Sequence, residues 1–196
     1  ASTFDHSPWN KILKAHVSAE GNVNYKEIKK SQASLDAYLN ELSNTTIDEN
    51  VWSKDEQLAF WINAYNAFTV KLIVNHYPVK SINDITSPWD LKFFKIGGKK
   101  MNLNHIEHKI LRIKFNEPRI HFAIVCASFS CPKLVNKAFS SSNVQSLLSS
   151  LTKEFVNDNK RNKISAGKIE ISEIFNWFKG DFTKKGTLIE FLNKYS

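Results

Sequence analysis

Sulfur, glycine and proline are scarce in this chain of 196 residues, which holds 2 Cys, 1 Met, 6 Gly and 5 Pro. Two cysteines cannot build a disulfide framework, so stability must come from a core. So little Gly and Pro excludes collagenous and low-complexity classes. Long apolar runs are also missing. The longest, Phe122 to Ala127, is far below the roughly 20 residues that a bilayer demands, so no integral membrane segment is expected. No glycine-rich phosphate loop, H-E-x-x-H pair or zinc ribbon is present, so neither metal nor cofactor is expected. No repeat of domain-building length is visible.

What remains is enough for a globular protein. Hydrophobic residues make up 42% and aromatics 12% of the chain, and the length fits one domain over residues 1–196. Residues 1–50 read as a helical part packed on the core. Lys+Arg total 27 against 19 Asp+Glu, a net +8. The basic residues are scattered in short clusters, such as Lys29-Lys30, Lys99-Lys100, Lys160-Arg161 and Lys184-Lys185, with no aromatic-interleaved RNA motif. A solvated surface explains them, and no nucleic-acid partner is expected. The chain opens at Ala1 and its only methionine is Met101. A trimmed product is the expectation, with the lost leader an export signal.

Periodicity predicts helices over Pro8–Val17, around Leu35 to Leu42, from Ser53 to about His76, over Ser142–Val156 and over Thr187–Tyr195. The Ser53-Lys54-Asp55-Glu56 capping box starts the longest of these and Pro78 stops it. This helix is apolar around most of its circumference, which places it inside the domain. Asn63 and Asn66 are then buried amides in need of partners. Hairpins are expected at Gly97-Gly98 and Ala166-Gly167. Asn104 is expected to cap a short helix carrying Glu107, and Ser172 another containing Phe175, Trp177 and Phe178. Ile120–Ala127 reads as a buried strand. Helices and hairpins without regular βαβ alternation make the class α+β.

Chemistry centres on Cys131. Pro132 follows it, so Cys131 is expected to precede a helix start, where unpaired N–H groups and the helix dipole favour thiolate. The bland alternative is a small buried residue before a proline. Cys126 shares a strand face with bulky apolar residues and reads as inert core. A Cys126–Cys131 bridge, silencing both thiols, is a further possibility. A nucleophilic cysteine needs a base, normally histidine. His121 can serve Cys131 if Ser128-Phe129-Ser130 reverses the chain, but not Cys126, some 17 Å away along an extended strand. His108 is the rival base, and the choice stays open. Glu107 is the candidate acid orienting the imidazole, although a capping role explains it equally well.

Several segments together resemble the bacterial branch of the DUF547 family: Phe4-Asp5-His6-Ser7-Pro8-Trp9, Gly21-Asn22-Val23-Asn24-Tyr25, Phe60-Trp61-Ile62-Asn63-Ala64-Tyr65-Asn66-Ala67, Leu103 to Arg112, Ile120-His121-Phe122-Ala123, Ser130-Cys131-Pro132 and Ile174-Phe175-Asn176-Trp177-Phe178. The resemblance implies an exported bacterial protein, periplasmic or at the cell surface. It also implies a papain-like cysteine-hydrolase fold with rearranged element order, helices packing around a small antiparallel sheet. By the same resemblance Cys131 is the nucleophile, His121 the base and Glu107 the acid. The expected activity is hydrolysis of an amide in a peptide or small peptide-like thiol, with Asn63 or a backbone N–H beside Cys131 stabilising the oxyanion. The alternative is a non-catalytic module that binds a ligand or protein on the same scaffold. Oligomeric state is not legible.

Overall fold

A computed structural model describes residues 4–79, 84–125, 133–165 and 167–196. Cys126, Cys131 and Ala166 lie outside these residues. The architecture is mostly helical, with two small antiparallel sheets.

The centre is a helix, not a sheet. After α1 (Ser7–His16), α2 (Tyr25–Lys30) and α3 (Ala33–Ser43), α4 runs from Lys54 to His76. Ser53 Oγ accepts the Glu56 N–H at 3.1 Å, fixing its start where the capping residues predict. Every residue from Gln57 to Val74 except Lys71 is buried. Such a helix draws its stability from packing on all sides, at about 1.5–3 kcal/mol per large buried apolar side chain. The first fifty residues supply part of that packing. α1 buries Trp9, Ile12 and Leu13, and α3 buries Leu35, Tyr38, Leu39 and Leu42. Trp9 stacks on Tyr38 with ring centroids 5.8 Å apart.

The amides on α4 find the partners that burial requires. Asn63 Nδ2 donates to the Phe139 carbonyl at 2.7 Å, and its Oδ1 accepts the Phe139 N–H at 2.9 Å. Asn66 Nδ2 donates to Ala123 O and its Oδ1 accepts Val125 N–H, both at 2.9 Å. Each asparagine therefore imitates a strand edge, pinning irregular chain against a helix and satisfying backbone groups in the interior.

The hairpins are peripheral. β1 (Phe94–Ile96) pairs with β2 (Lys99–Met101). Gly97 and Gly98 both adopt positive φ, +60° and +79°, as a tight two-residue turn needs. β3 (Lys163–Ser165) pairs with β4 (Lys168–Glu170), and all six residues are exposed. The expected helices around one small sheet are thus replaced by helices around α4, because two strands of three residues, although the first hairpin buries Phe94, Ile96 and Met101, are too small to centre a core.

A second correction concerns Ile120–Ala127. Its described part is a 3₁₀ helix, Pro118–Phe122, followed by irregular chain to Val125. Pro118 pre-sets the backbone at the first helical position, and the Glu117 carboxylate accepts the Arg119 N–H at 3.1 Å. A short continuous apolar run cannot distinguish a strand from buried helix, and here the proline decided. The assignment of alternate residues from Ile120 to Val125 to two strand faces falls with the strand, while the expected separation of His121 from Cys126 ends outside the described residues.

The remaining helices are α5 (Arg112–Lys114), α6 (Val144–Val156), α7 (Ile174–Trp177), α8 (Lys179–Phe182) and α9 (Leu188–Tyr195). Thr187 caps α9 through the Glu190 N–H, and Ser172 Oγ accepts the Ile174 N–H before α7. Among the described residues no helix is long and apolar enough to cross a membrane.

Candidate functional site

Between β2 and α5 the chain forms a π-helix, His105–Leu111. Asn104 does not cap it, contrary to expectation. Its side chain donates to Asp90 at 2.7 Å, while Asn102 Oδ1 accepts the His105 N–H at 2.7 Å. The wide turn is completed by the Arg112 N–H bonding to Glu107 O, five residues back. His108 and Arg112, four residues apart, would share a face in an α-helix too, but residues five apart would swing away from each other, and the i→i+5 turn brings Glu107 round toward that side as well. π-turns are uncommon and concentrate at functional sites.

Arg112 joins this turn to the C-terminal part of the chain. Its Nε donates to Asp181 Oδ2 at 2.7 Å and its Nη2 to Asp181 Oδ1 at 3.2 Å, the two-pronged geometry that a guanidinium favours. The third prong, Nη1, meets His108 Nδ1 at 2.9 Å. Asp181 Oδ2 also bonds His121 Nε2 at 2.7 Å. Phe178 covers the assembly. It stacks on His121 with centroids 4.0 Å apart and planes 16° from parallel, and the Arg112 guanidinium lies 4.9 Å from its centroid. Glu107 stands on the other flank, accepting the Tyr65 hydroxyl at 3.3 Å, with its second oxygen 3.8 Å from His108 Nε2.

Burial separates the two histidines. His121 is 1% exposed, whereas the His108 side chain is 39% exposed. Burial lowers the His121 pKa, opposed by the hydrogen bond and charge of Asp181 and by Glu107, and assisted by the Arg112 charge. For Asp181 the balance is reversed. Partial burial raises its pKa, but hydrogen bonds and charge from His121 and Arg112 hold it well below the ordinary carboxylate range. Asp181 is therefore an anion wherever the fold persists near neutral pH. With its carboxylate on Nε2, His121 carries a proton there, and Nδ1 is the nitrogen able to accept one.

The residues singled out from sequence fall unevenly around this arrangement. His121 is at its centre. His108 is tied to the same cluster through Arg112. Glu107 is close enough to act on His121 by charge, but its hydrogen bond goes to Tyr65. Asn63 is fully buried with both polar atoms bonded to Phe139, so its amide holds a loop instead of facing a ligand. Cys131 and Cys126 lie outside the described residues, as does any bridge between them. Asp181 and Arg112 escaped the sequence reading. The one available signal was a lone acid between Phe178 and Phe182 in an otherwise basic stretch. Asp181 also reaches the wall of a cleft of about 530 Å³, lined by Lys184, Lys185 and Lys194 among others. Among the described residues no group of three His, Asp or Glu side chains is arranged to hold a metal ion.

Residues 50–156 match the model of DUF547, a protein of unknown function. The chain belongs to the DUF547 family. No curated protein and no solved structure matches it. In this DUF547 chain the matched span takes in α4, the π-helix and His121 and ends with α6. Asp181, the carboxylate that bonds His121, lies 25 residues beyond that span.

Proposed function

We propose that this DUF547 protein is a cysteine-dependent hydrolase of an amide bond, acting on a peptide or a small peptide-like thiol, on a papain-like scaffold of rearranged order. The observation that carries the reading is the 2.7 Å bond from His121 Nε2 to an Asp181 carboxylate that Arg112 keeps ionised. A buried histidine so oriented has one nitrogen left for proton transfer, which is what a thiol nucleophile requires of its base.

Cys131 is the proposed nucleophile, ten residues along the chain from His121. Its thiol proton passes to His121 Nδ1, and the thiolate attacks the carbonyl carbon of the substrate. The C–N bond then breaks as the imidazolium returns its proton to the leaving nitrogen, giving a thioester. Water adds to the thioester carbonyl with His121 accepting its proton, and the acid departs as the thiolate is regenerated. Asp181 stays unprotonated throughout and stabilises the imidazolium, with Glu107 adding negative charge at longer range. With Asn63 committed to Phe139, the oxyanion donor is assigned to a backbone N–H beside Cys131.

The test is the pH dependence of Cys131 alkylation by iodoacetamide in the wild type and in His121→Ala. A thiolate titrating well below the free-thiol value of about 8.5, and returning to it in the variant, is the expected result. A wild-type midpoint at or above that value removes the activated nucleophile. It would leave the non-catalytic binding module, to which the near-complete burial of His121 is already suited.

A further inference from the structure

The chain carries two histidines in one hydrogen-bonded cluster, and their contacts give them different work. An arginine side chain has donors at every nitrogen and no acceptor. The 2.9 Å contact between Arg112 Nη1 and His108 Nδ1 therefore has one chemical meaning: His108 accepts, and its Nδ1 bears no proton. The remaining imidazole proton sits on Nε2, toward Glu107 Oε2 at 3.8 Å. The same guanidinium holds both oxygens of Asp181, and one of those oxygens holds His121.

We infer that His108 is a positioning residue for the His121–Asp181 pair, acting through Arg112, and that it does so only while neutral. A protonated His108 would present Nδ1–H to an Arg112 N–H, donor against donor and cation against cation. Arg112 would then lose its third anchor and hold Asp181 less firmly. The charged groups facing His108 are Glu107, backed by Tyr65, and Arg112 of α5, with Asp181 of α8 behind that guanidinium. His108 is the more exposed of the two rings, so it meets solvent protons directly. This rests on the reading of His121 as a base, and it resolves the choice between the two histidines: His121 transfers the proton and His108 keeps it aligned.

Nitrogen-15 NMR of the imidazoles in the full chain tests the inference without any substrate. In the wild type with neutral imidazoles, His108 is expected as the Nε2–H tautomer and His121 as a single Nε2–H tautomer. In His108→Phe, which offers Arg112 no acceptor, His121 is expected to become a mixture of tautomers. His108→Gln, whose amide oxygen can accept from Arg112, restores the single form. Arg112→Lys, which loses the fork, repeats the His108→Phe result by a second route and guards against a local packing effect of the phenyl ring. On acidification the wild-type His121 signal should shift together with His108 protonation, and that shift should be absent from His108→Gln. A proton on His108 Nδ1 in the neutral wild type, or an unchanged His121 tautomer in both His108→Phe and Arg112→Lys, overturns the inference. An unactivated Cys131 accompanied by the expected tautomer changes defeats the hydrolase reading and leaves the alignment of His121 by His108 standing.

Discussion

The described residues bury two hydrophobic clusters of different character. The larger gathers around α4 and takes in α1, α3, the first hairpin and the π-helix. The smaller is dominated by aromatics, with Phe122, Phe155, Phe175 and Phe182 packed ring against ring beside Ile174 and Leu192. The 3₁₀ helix at Pro118–Phe122 stitches them together, since Ile120 and Ala123 enter the first cluster and Phe122 the second. His121 sits at that seam, and Asp181 reaches it from the residue before Phe182. The large cluster thus fixes the base and the small one delivers the acid. The difference teaches that the charged pair is shared between clusters, and the family match ends at Val156, inside the second cluster and before its Asp181.

The sharpest way to break this pairing is to remove the charge that spans the seam. Asp181→Asn keeps the shape but loses the anion, and should lower turnover of an amide substrate by on the order of 10³–10⁴ while the protein stays folded, by analogy with the loss of the acid from a serine-protease triad. A fall of less than tenfold would make Asp181 merely structural. Next in size is the smaller cluster itself. Phe175→Ala should destabilise the protein by about 3–5 kcal/mol in urea unfolding. Because the aromatic cluster positions α8, the same variant should disturb His121 signals in NMR more than Phe60→Ala in the large cluster does. Equal disturbance would show that the clusters do not divide the work.

Asn66→Ala probes the seam from the α4 side. It leaves the Ala123 carbonyl and the Val125 N–H without partners, at a cost of about 2–4 kcal/mol. The loss should be accompanied by faster amide exchange at Val125.

A smaller effect separates the regions by pH. His6, in the N-terminal part, is half-buried against Phe4 and Phe60, hydrogen-bonds through Nδ1 to Tyr38 Oη at 2.7 Å, and is pushed by desolvation down to about 4. Unfolded, its imidazole takes up a proton near 6.5. The unfolded chain therefore binds more protons between those values, and stability should fall as pH drops from about 6.5 to 4, by on the order of 2–3 kcal/mol. Asp181 behaves as a depressed carboxylate. Its contribution is complete above the unfolded carboxylate value and is lost only as pH falls below it. Urea midpoints against pH should accordingly lose their slope above pH 4 in His6→Gln and below it in Asp181→Asn. A slope unchanged in both variants would assign the acid sensitivity elsewhere.

Much of the larger cluster was legible in the sequence. The Ser53 cap, the run of apolar residues without a clear polar face and the stop at Pro78 located α4 to within a residue, because each of those signals acts within one or two turns of chain. The same locality made Gly97-Gly98 readable as a turn, and it made two embedded asparagines demand partners. Ile120–Val125 departs from the expected strand because an unbroken apolar run has no period, and Pro118 starts a 3₁₀ helix that runs into it. Asn104 was misread as a cap because Asn102, two residues earlier, offers the same chemistry, and only the π-turn determines which of them faces the open N–H group.

The sequence by itself determined that there is a core, that one long helix lies inside it, and that buried amides on that helix need partners. These follow from spacing and capping, which are short-range forces. Which carboxylate meets His121 was settled by tertiary structure alone, for Asp181 is 60 residues away along the chain. An ion pair across such a distance leaves no periodic trace. It exists because two hydrophobic clusters, each collapsing for its own reasons, bring their edges to within one hydrogen bond.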